Sequence, residues 1–121
     1  MRLGILILTI ICCACEMRTS SEKRFETNIG FSIPDDKKVL KDEYQDMMQD
    51  YAIIYEVELS PISNQELTEK VKNLISTTTD QNCNWSFAES GFSFRCDKGR
   101  TTYLVKYDTV KRIINYEEFA D

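Results

Sequence analysis

Cys83-Asn84-Trp85-Ser86-Phe87-Ala88-Glu89-Ser90-Gly91-Phe92-Ser93-Phe94-Arg95-Cys96 is the stretch on which the fold turns. Large apolar and small polar residues alternate on both sides of Glu89-Ser90, which is the period of a strand pair. With a two-residue turn at Glu89-Ser90, Phe87 faces Phe92, Trp85 faces Phe94 and Cys83 faces Cys96. Those side chains share one face, and Asn84, Ser86, Ser93 and Arg95 share the other. All the matched pairs are then non-hydrogen-bonded pairs, in which side chains approach most closely. A disulfide needs Cα atoms about 4.4–6.8 Å apart, and this register supplies that spacing. The rival is a three-residue turn with Gly91 left-handed, which offsets the cysteines by one place and splits the aromatic ladder. The coincidence of matched pairs favours the two-residue turn.

Strand character extends in both directions. Thr101 to Tyr107 and Lys111 to Phe119, joined at Asp108-Thr109-Val110, read as a second hairpin, so the chain ends in a four-stranded meander. Upstream, Tyr51 to Leu59 is a strand whose later half alternates, with Tyr55, Val57 and Leu59 on one face and Glu56 and Glu58 on the other. Lys37 to Asp50 has Leu40, Tyr44, Met47, Met48 and Tyr51 at helical spacing, yet a strand entering a hairpin fits the same residues. The β run that follows favours the strand. Phe31-Ser32-Ile33-Pro34 reads as a short edge strand stopped by Pro34.

Between these strands lies a marked helix. Ser63-Asn64-Gln65-Glu66 has the pattern of a capping box, with Ile62 and Leu67 in the positions of a hydrophobic staple. Leu67, Val71, Leu74 and Ile75 form one apolar stripe. The expected fold class is α+β: a single helix packed on a mainly antiparallel sheet with a C-terminal four-stranded meander.

The chain has 121 residues, no histidine, five cysteines and a net charge of -5. That length carries one core. The missing imidazole removes the commonest general base and the commonest zinc ligand. No basic stripe is present, which argues against nucleic acid. The carboxylates of Asp35-Asp36, Asp42-Glu43, Asp46, Asp50 and Glu117-Glu118 lack the spacing and turn glycine of a calcium loop and read as solvated surface. No glycine-rich phosphate loop occurs. Neither a metal nor a cofactor is expected, and no catalytic residue is assigned.

Three of the five cysteines fall in the first fifteen residues, Met1-Arg2-Leu3-Gly4-Ile5-Leu6-Ile7-Leu8-Thr9-Ile10-Ile11-Cys12-Cys13-Ala14-Cys15. The apolar run after Arg2 is shorter than the about 20 residues needed to span a bilayer, and fits the apolar region of an export signal. Its end, Ala14-Cys15, resembles the lipobox of bacterial lipoproteins, in which a small residue precedes the cysteine that becomes acylated. The resemblance covers residues 1–15 alone. It implies cleavage before Cys15, lipid attachment at Cys15 and residence on a membrane. Glu16 is not the Asp that resembles an inner-membrane retention signal, which tilts the expectation toward an outer membrane where the host has one. An ordinary secretory signal cut at the same bond, and an uncleaved apolar anchor, are the alternatives. Export also suits Cys83 and Cys96 as a disulfide pair.

The expected organisation is a signal peptide over 1–14, a lipidated cysteine and polar tether over 15–30, and a globular domain over 31–121. Trp85, Phe87, Phe92 and Phe94 are either a binding platform or the floor on which the helix packs, and the helix stripe favours the floor. The expected function is a non-catalytic envelope component that binds an unidentified protein. An inhibitor or immunity protein acting on a basic enzyme or toxin is the runner-up. A soluble secreted domain or a carboxylate-based enzyme is the remaining class.

Overall fold

In a computed structural model, which describes residues 19–48 and 50–120, the sequence hairpin is β3 (Cys83–Ala88) and β4 (Gly91–Lys98). Its register is Cys83 opposite Cys96, Trp85 opposite Phe94 and Phe87 opposite Phe92, as the two-residue turn requires. The remaining strands are β1 (Lys38–Met47), β2 (Asp50–Glu58), β5 (Thr101–Asp108) and β6 (Ile113–Ala120). They form one six-stranded sheet in the order β1-β2-β6-β5-β4-β3, antiparallel throughout. The C-terminal meander is therefore present, and Lys38–Met47 is a strand rather than a helix. β6 pairs with β2 as well as β5, and so joins the N-terminal hairpin to the meander.

Two helices, not one, accompany the sheet. α1 (Ser21–Ile29) begins on the Ser20 cap, whose hydroxyl accepts from the Lys23 amide, and ends at Gly30 in the left-handed conformation. Phe25 is fully buried and Ile29 nearly so. The single-helix expectation and the tether over 15–30 are corrected here. Phe25 and Ile29 lie four apart on one helical face, and their burial against the sheet outweighs the polar composition around them. The folded unit starts at the Ser20 cap, not at Phe31. Residues 1–18, with the leader and Cys15, lie outside the described residues.

Phe31–Ile33 is irregular rather than an edge strand, and both apolar side chains are buried. Phe31 meets Phe25 edge-on at 5.5 Å, stacks on Trp85 at 6.0 Å and lies under the Lys70 ammonium at 5.4 Å. It is thus a plug contacting α1, β3 and the second helix, and packing, not strand pairing, sets its place.

α2 (Pro61–Thr77) starts three residues before the expected capping box. Ser60 is the cap, accepting from the Ser63 amide, and Pro61 occupies the first turn. Proline suits that position because its missing N–H would have had no helical partner. Ser63 instead donates to Asp36 at 2.9 Å, and Ile62 is exposed rather than stapled to Leu67. The stripe itself holds: Leu67 and Val71 are buried, with Leu74 and Ile75 packed against the core.

One face of the sheet carries the core. Tyr55 and Val57 on β2 pair with Tyr116 and Ile114 on β6, which pair with Val105 and Tyr107 on β5, which pair with Phe94 and Phe92 on β4. All are buried. Gly91 follows the hairpin turn at φ 156°, where a Cβ would lie 2.0 Å from the Tyr107 carbonyl oxygen. Only glycine lets β4 begin that close to β5.

Candidate functional site

The aromatic ladder is mostly floor. Trp85, Phe92 and Phe94 are buried, each against a neighbouring ring, and cannot serve as a platform. Phe87, at the turn end of the same ladder, stays 67% exposed while touching Phe92. The Cys83 and Cys96 sulfurs are bonded, with Cα atoms 4.1 Å apart. Cys96 is buried, so the staple lies beneath the core surface rather than out in solvent.

The residue that sequence reasoning assigned to solvated charge and the structure places otherwise is Glu118. Neighbours on a strand point to opposite faces. Glu117 lies on the uncovered face, while Glu118 lies under α1 and is 1% exposed. Tyr116 donates to its Oε1 at 2.6 Å and Asn28 does so at 3.3 Å. Arg24 Nη1 donates to Oε2 at 2.6 Å, and the Tyr51 hydroxyl reaches the same oxygen. Asn28 also donates to the Tyr116 hydroxyl at 3.1 Å. A buried carboxylate is tolerated only when paired and hydrogen-bonded in this way.

The surrounding groups respond to that environment. Burial works against the Arg24 charge, but the Glu118 carboxylate and Tyr51 more than offset it, and the guanidinium is held more firmly protonated. Burial, then Glu118, pushes the Tyr116 phenol far above its ordinary range and raises Tyr51 in the same sense. Tyr103 rises too, from burial first and Glu118 second. These phenols stay neutral donors.

A polar cleft of about 280 Å³ opens over this cluster, lined by Thr19, Arg24, Thr27, Asn28, Tyr51, Tyr103 and Glu118. Both carboxylate oxygens are already occupied by donors from α1 and the sheet. The arrangement therefore clamps α1 to β2 and β6 and leaves Glu118 no open lone pair aimed at a substrate. A second, mainly apolar depression of about 320 Å³ lies at β2 and β6, bordered by Ala52, Ile54, Glu117 and Phe119.

The other acidic groups are dispersed. Asp36 accepts from Ser63, and hydrogen bonds from Ser60 and Ser63 hold its carboxyl below the usual range. Asp42 accepts from the Ser21 hydroxyl at 2.6 Å. Among the described residues no group of three or more His, Cys, Asp or Glu could hold a metal ion, and no helix is long and apolar enough to cross a membrane.

Comparison with protein-family models, with curated proteins and with solved structures finds no match to this chain. Glu118 had one signal in the sequence: Tyr116 and Glu118 continue the alternation set by Ile114, which puts a carboxylate on the core face. Its partner Arg24 was concealed in the stretch expected to be a tether.

Proposed function

We propose that this chain is a lipid-anchored protein of a bacterial envelope, acting by binding another protein and not by catalysis. One combination carries the reading: an apolar leader ending in Ala14-Cys15, followed by a domain whose own cysteines, Cys83 and Cys96, are joined. Disulfides persist in oxidising compartments, so the pair fits the export that the leader implies. Glu16 after the anchor favours an outer membrane where the host has one.

The short N-terminal lead supports a specific picture. Only residues 16–19 separate Cys15 from the Ser20 cap, and a chain reaches at most about 3.6 Å per residue. The start of α1 would stand within about 20 Å of the acylated cysteine. The engagement of both Glu118 oxygens supports the non-catalytic half of the reading, because the most buried carboxylate is spent on holding α1.

Intact mass of the protein extracted from membranes of its native host tests this. The expected result is loss of residues 1–14, addition of acyl chains at Cys15, and a gain of two hydrogens on reduction. A chain that retains its leader, or begins at an unmodified Cys15, overturns the anchor.

A further inference from the structure

β1 (Lys38–Met47) is the longest strand of the sheet and stands at its edge, with no strand beyond it among the described residues. Such an edge presents a row of backbone donors and acceptors ready to pair. Apolar side chains are partly exposed along it: Val39 is 49% and Leu40 42% exposed, and Tyr44, stacked on Tyr51 at 6.1 Å, is 42% exposed. An irregularity between Val39 and Lys41 interrupts the register with β2.

One antiparallel register overlaps nearly the whole of this edge and matches opposite charges across it. Centred on Asp42, that register sets Lys41 opposite Glu43 of a second copy, and the twofold axis repeats the pair. Tyr44 then meets the Val39–Leu40 step, and Lys38 lies against Gln45 and Asp46. Centring on Lys41 or Glu43 sets like charges on the axis without the opposite-charge pairs beside them. A shift by a single residue sets Asp42 against Glu43 in one direction and Lys41 against Asp42 in the other, and either slip puts the covered faces of the two copies on opposite sides of the joined sheet. Like charges directly opposite are unfavourable, and a one-residue slip also turns every side chain to the wrong face.

Lys41 and Glu43 already share the uncovered face of their strand, with Nζ and Oε2 3.8 Å apart. They can therefore exchange partners between copies without leaving that face. The cost is Asp42 opposite itself, and the Ser21 hydroxyl already holds one oxygen of that carboxylate.

We infer that β1 is a self-association edge: two copies pair antiparallel about a twofold axis through Asp42 and continue the sheet across the interface. This is isologous pairing, in which one patch serves both partners. It does not depend on the lipid anchor, although two copies confined to one membrane would meet at a raised effective concentration.

A residue on a twofold axis faces its own copy, which makes the test specific. The full chain bearing Asp42→Cys, treated with mild oxidant in host membranes, is expected to cross-link into a dimer. The parent chain and Gln45→Cys are expected not to. Lys41→Glu should weaken association at least about tenfold, and Lys41→Glu with Glu43→Lys should restore it, since the double swap rebuilds both pairs. Absence of the Asp42→Cys dimer in protein that retains its far-ultraviolet spectrum overturns the proposal. So does equal cross-linking at 42 and 45, or a double swap that fails to rescue. Failure of the lipid anchor would appear separately, in the intact mass.

Discussion

Arg24 on α1 and Glu118 on β6, separated by 94 residues in sequence, meet at 2.6 Å beneath the helix. The contact ties the first described helix to the last strand. Its side chains differ in exposure, at 27% for Arg24 and 1% for Glu118. That asymmetry orders the consequences of breaking it. Glu118→Ala removes the acceptor from Tyr51, Tyr116, Asn28 and Arg24 together, and is expected to cost about 3 kcal/mol. Arg24→Ala leaves the carboxylate its three neutral donors but no counter-charge, and about 2 kcal/mol is expected. Urea unfolding of both variants checks the order, and a larger loss for Arg24→Ala contradicts it.

Stability should fall at alkaline pH. Burial, with smaller effects from Glu22 and Asp42, pushes the Tyr55 phenol up to about 12, and Tyr116 is pushed up further. In the unfolded chain both ionise near pH 10. Above that pH the unfolded state binds fewer protons than the folded state, so unfolding becomes more favourable as pH rises. The stabilisation is whole below about pH 10 and is lost as pH climbs through the folded values. Urea midpoints should be level from pH 8 to about 10 and then drop, and Tyr116→Phe should flatten the drop. An unchanged slope in that variant removes Tyr116 from the account.

Gly91→Ala is expected to be among the most damaging single changes. The added methyl would lie 2.0 Å from the Tyr107 carbonyl oxygen, a backbone atom that moves only if β5 moves. A loss of about 3 kcal/mol or more follows from overpacking together with an unfavourable φ. Thermal unfolding reads it, and a shift below about 2 °C would mean that the strand start relaxes freely.

Cys83 and Cys96 are 13 residues apart, and closing a loop of that size stabilises by about 3 kcal/mol in the chain-entropy model. The Cys83→Ser, Cys96→Ser double variant should lose that amount while keeping the far-ultraviolet spectrum of the parent. The Trp85–Phe94 and Phe87–Phe92 pairs still hold the register. Loss of the spectrum instead would make the bond a condition of folding.

The two serines at the start of α2 should separate. Ser60→Ala removes the cap and should cost about 1 kcal/mol. Ser63→Ala removes the tie to Asp36 and not the cap, so it should also release the Asp36 carboxyl toward its ordinary range. Urea unfolding distinguishes them, since both serines bond Asp36 and either variant lets its carboxyl rise, but only Ser60 caps the helix.

What could be read from residues alone followed the strength of the periodic signal. The β3–β4 register was legible because the aromatic pairs and the cysteine pair agreed on one turn, and misplacing the turn by one residue would have broken all of them. The meander and β2 were legible from alternation. α1 was not, because in a stretch dominated by charge and hydroxyl groups only Phe25 and Ile29 mark the buried face. Ser20 and Gly30 close its two ends in the structure, but without a known surface to pack on, a helix of 9 residues reads as marginal in sequence. The Ser60–Pro61 start of α2 lost to a better-looking capping box three residues on, although proline at the first turn was the stronger local constraint. Glu118 was hidden for a different reason: a carboxylate at a core position makes sense only once Arg24 is known to lie above it.

β6 comes last among the strands in sequence, yet it sits third in the sheet, between β2 and β5. The N-terminal hairpin and the later meander can each zip locally, but neither can complete the other until Ile113–Ala120 is available to both. Closing that arrangement pairs residues as far apart as Tyr51 and Ala120, about half the chain, and is slow for entropic reasons. A polypeptide built in this order completes its sheet only once its final strand is available, and truncation before Ile113 would strip β2 and β5 of their shared neighbour at one stroke.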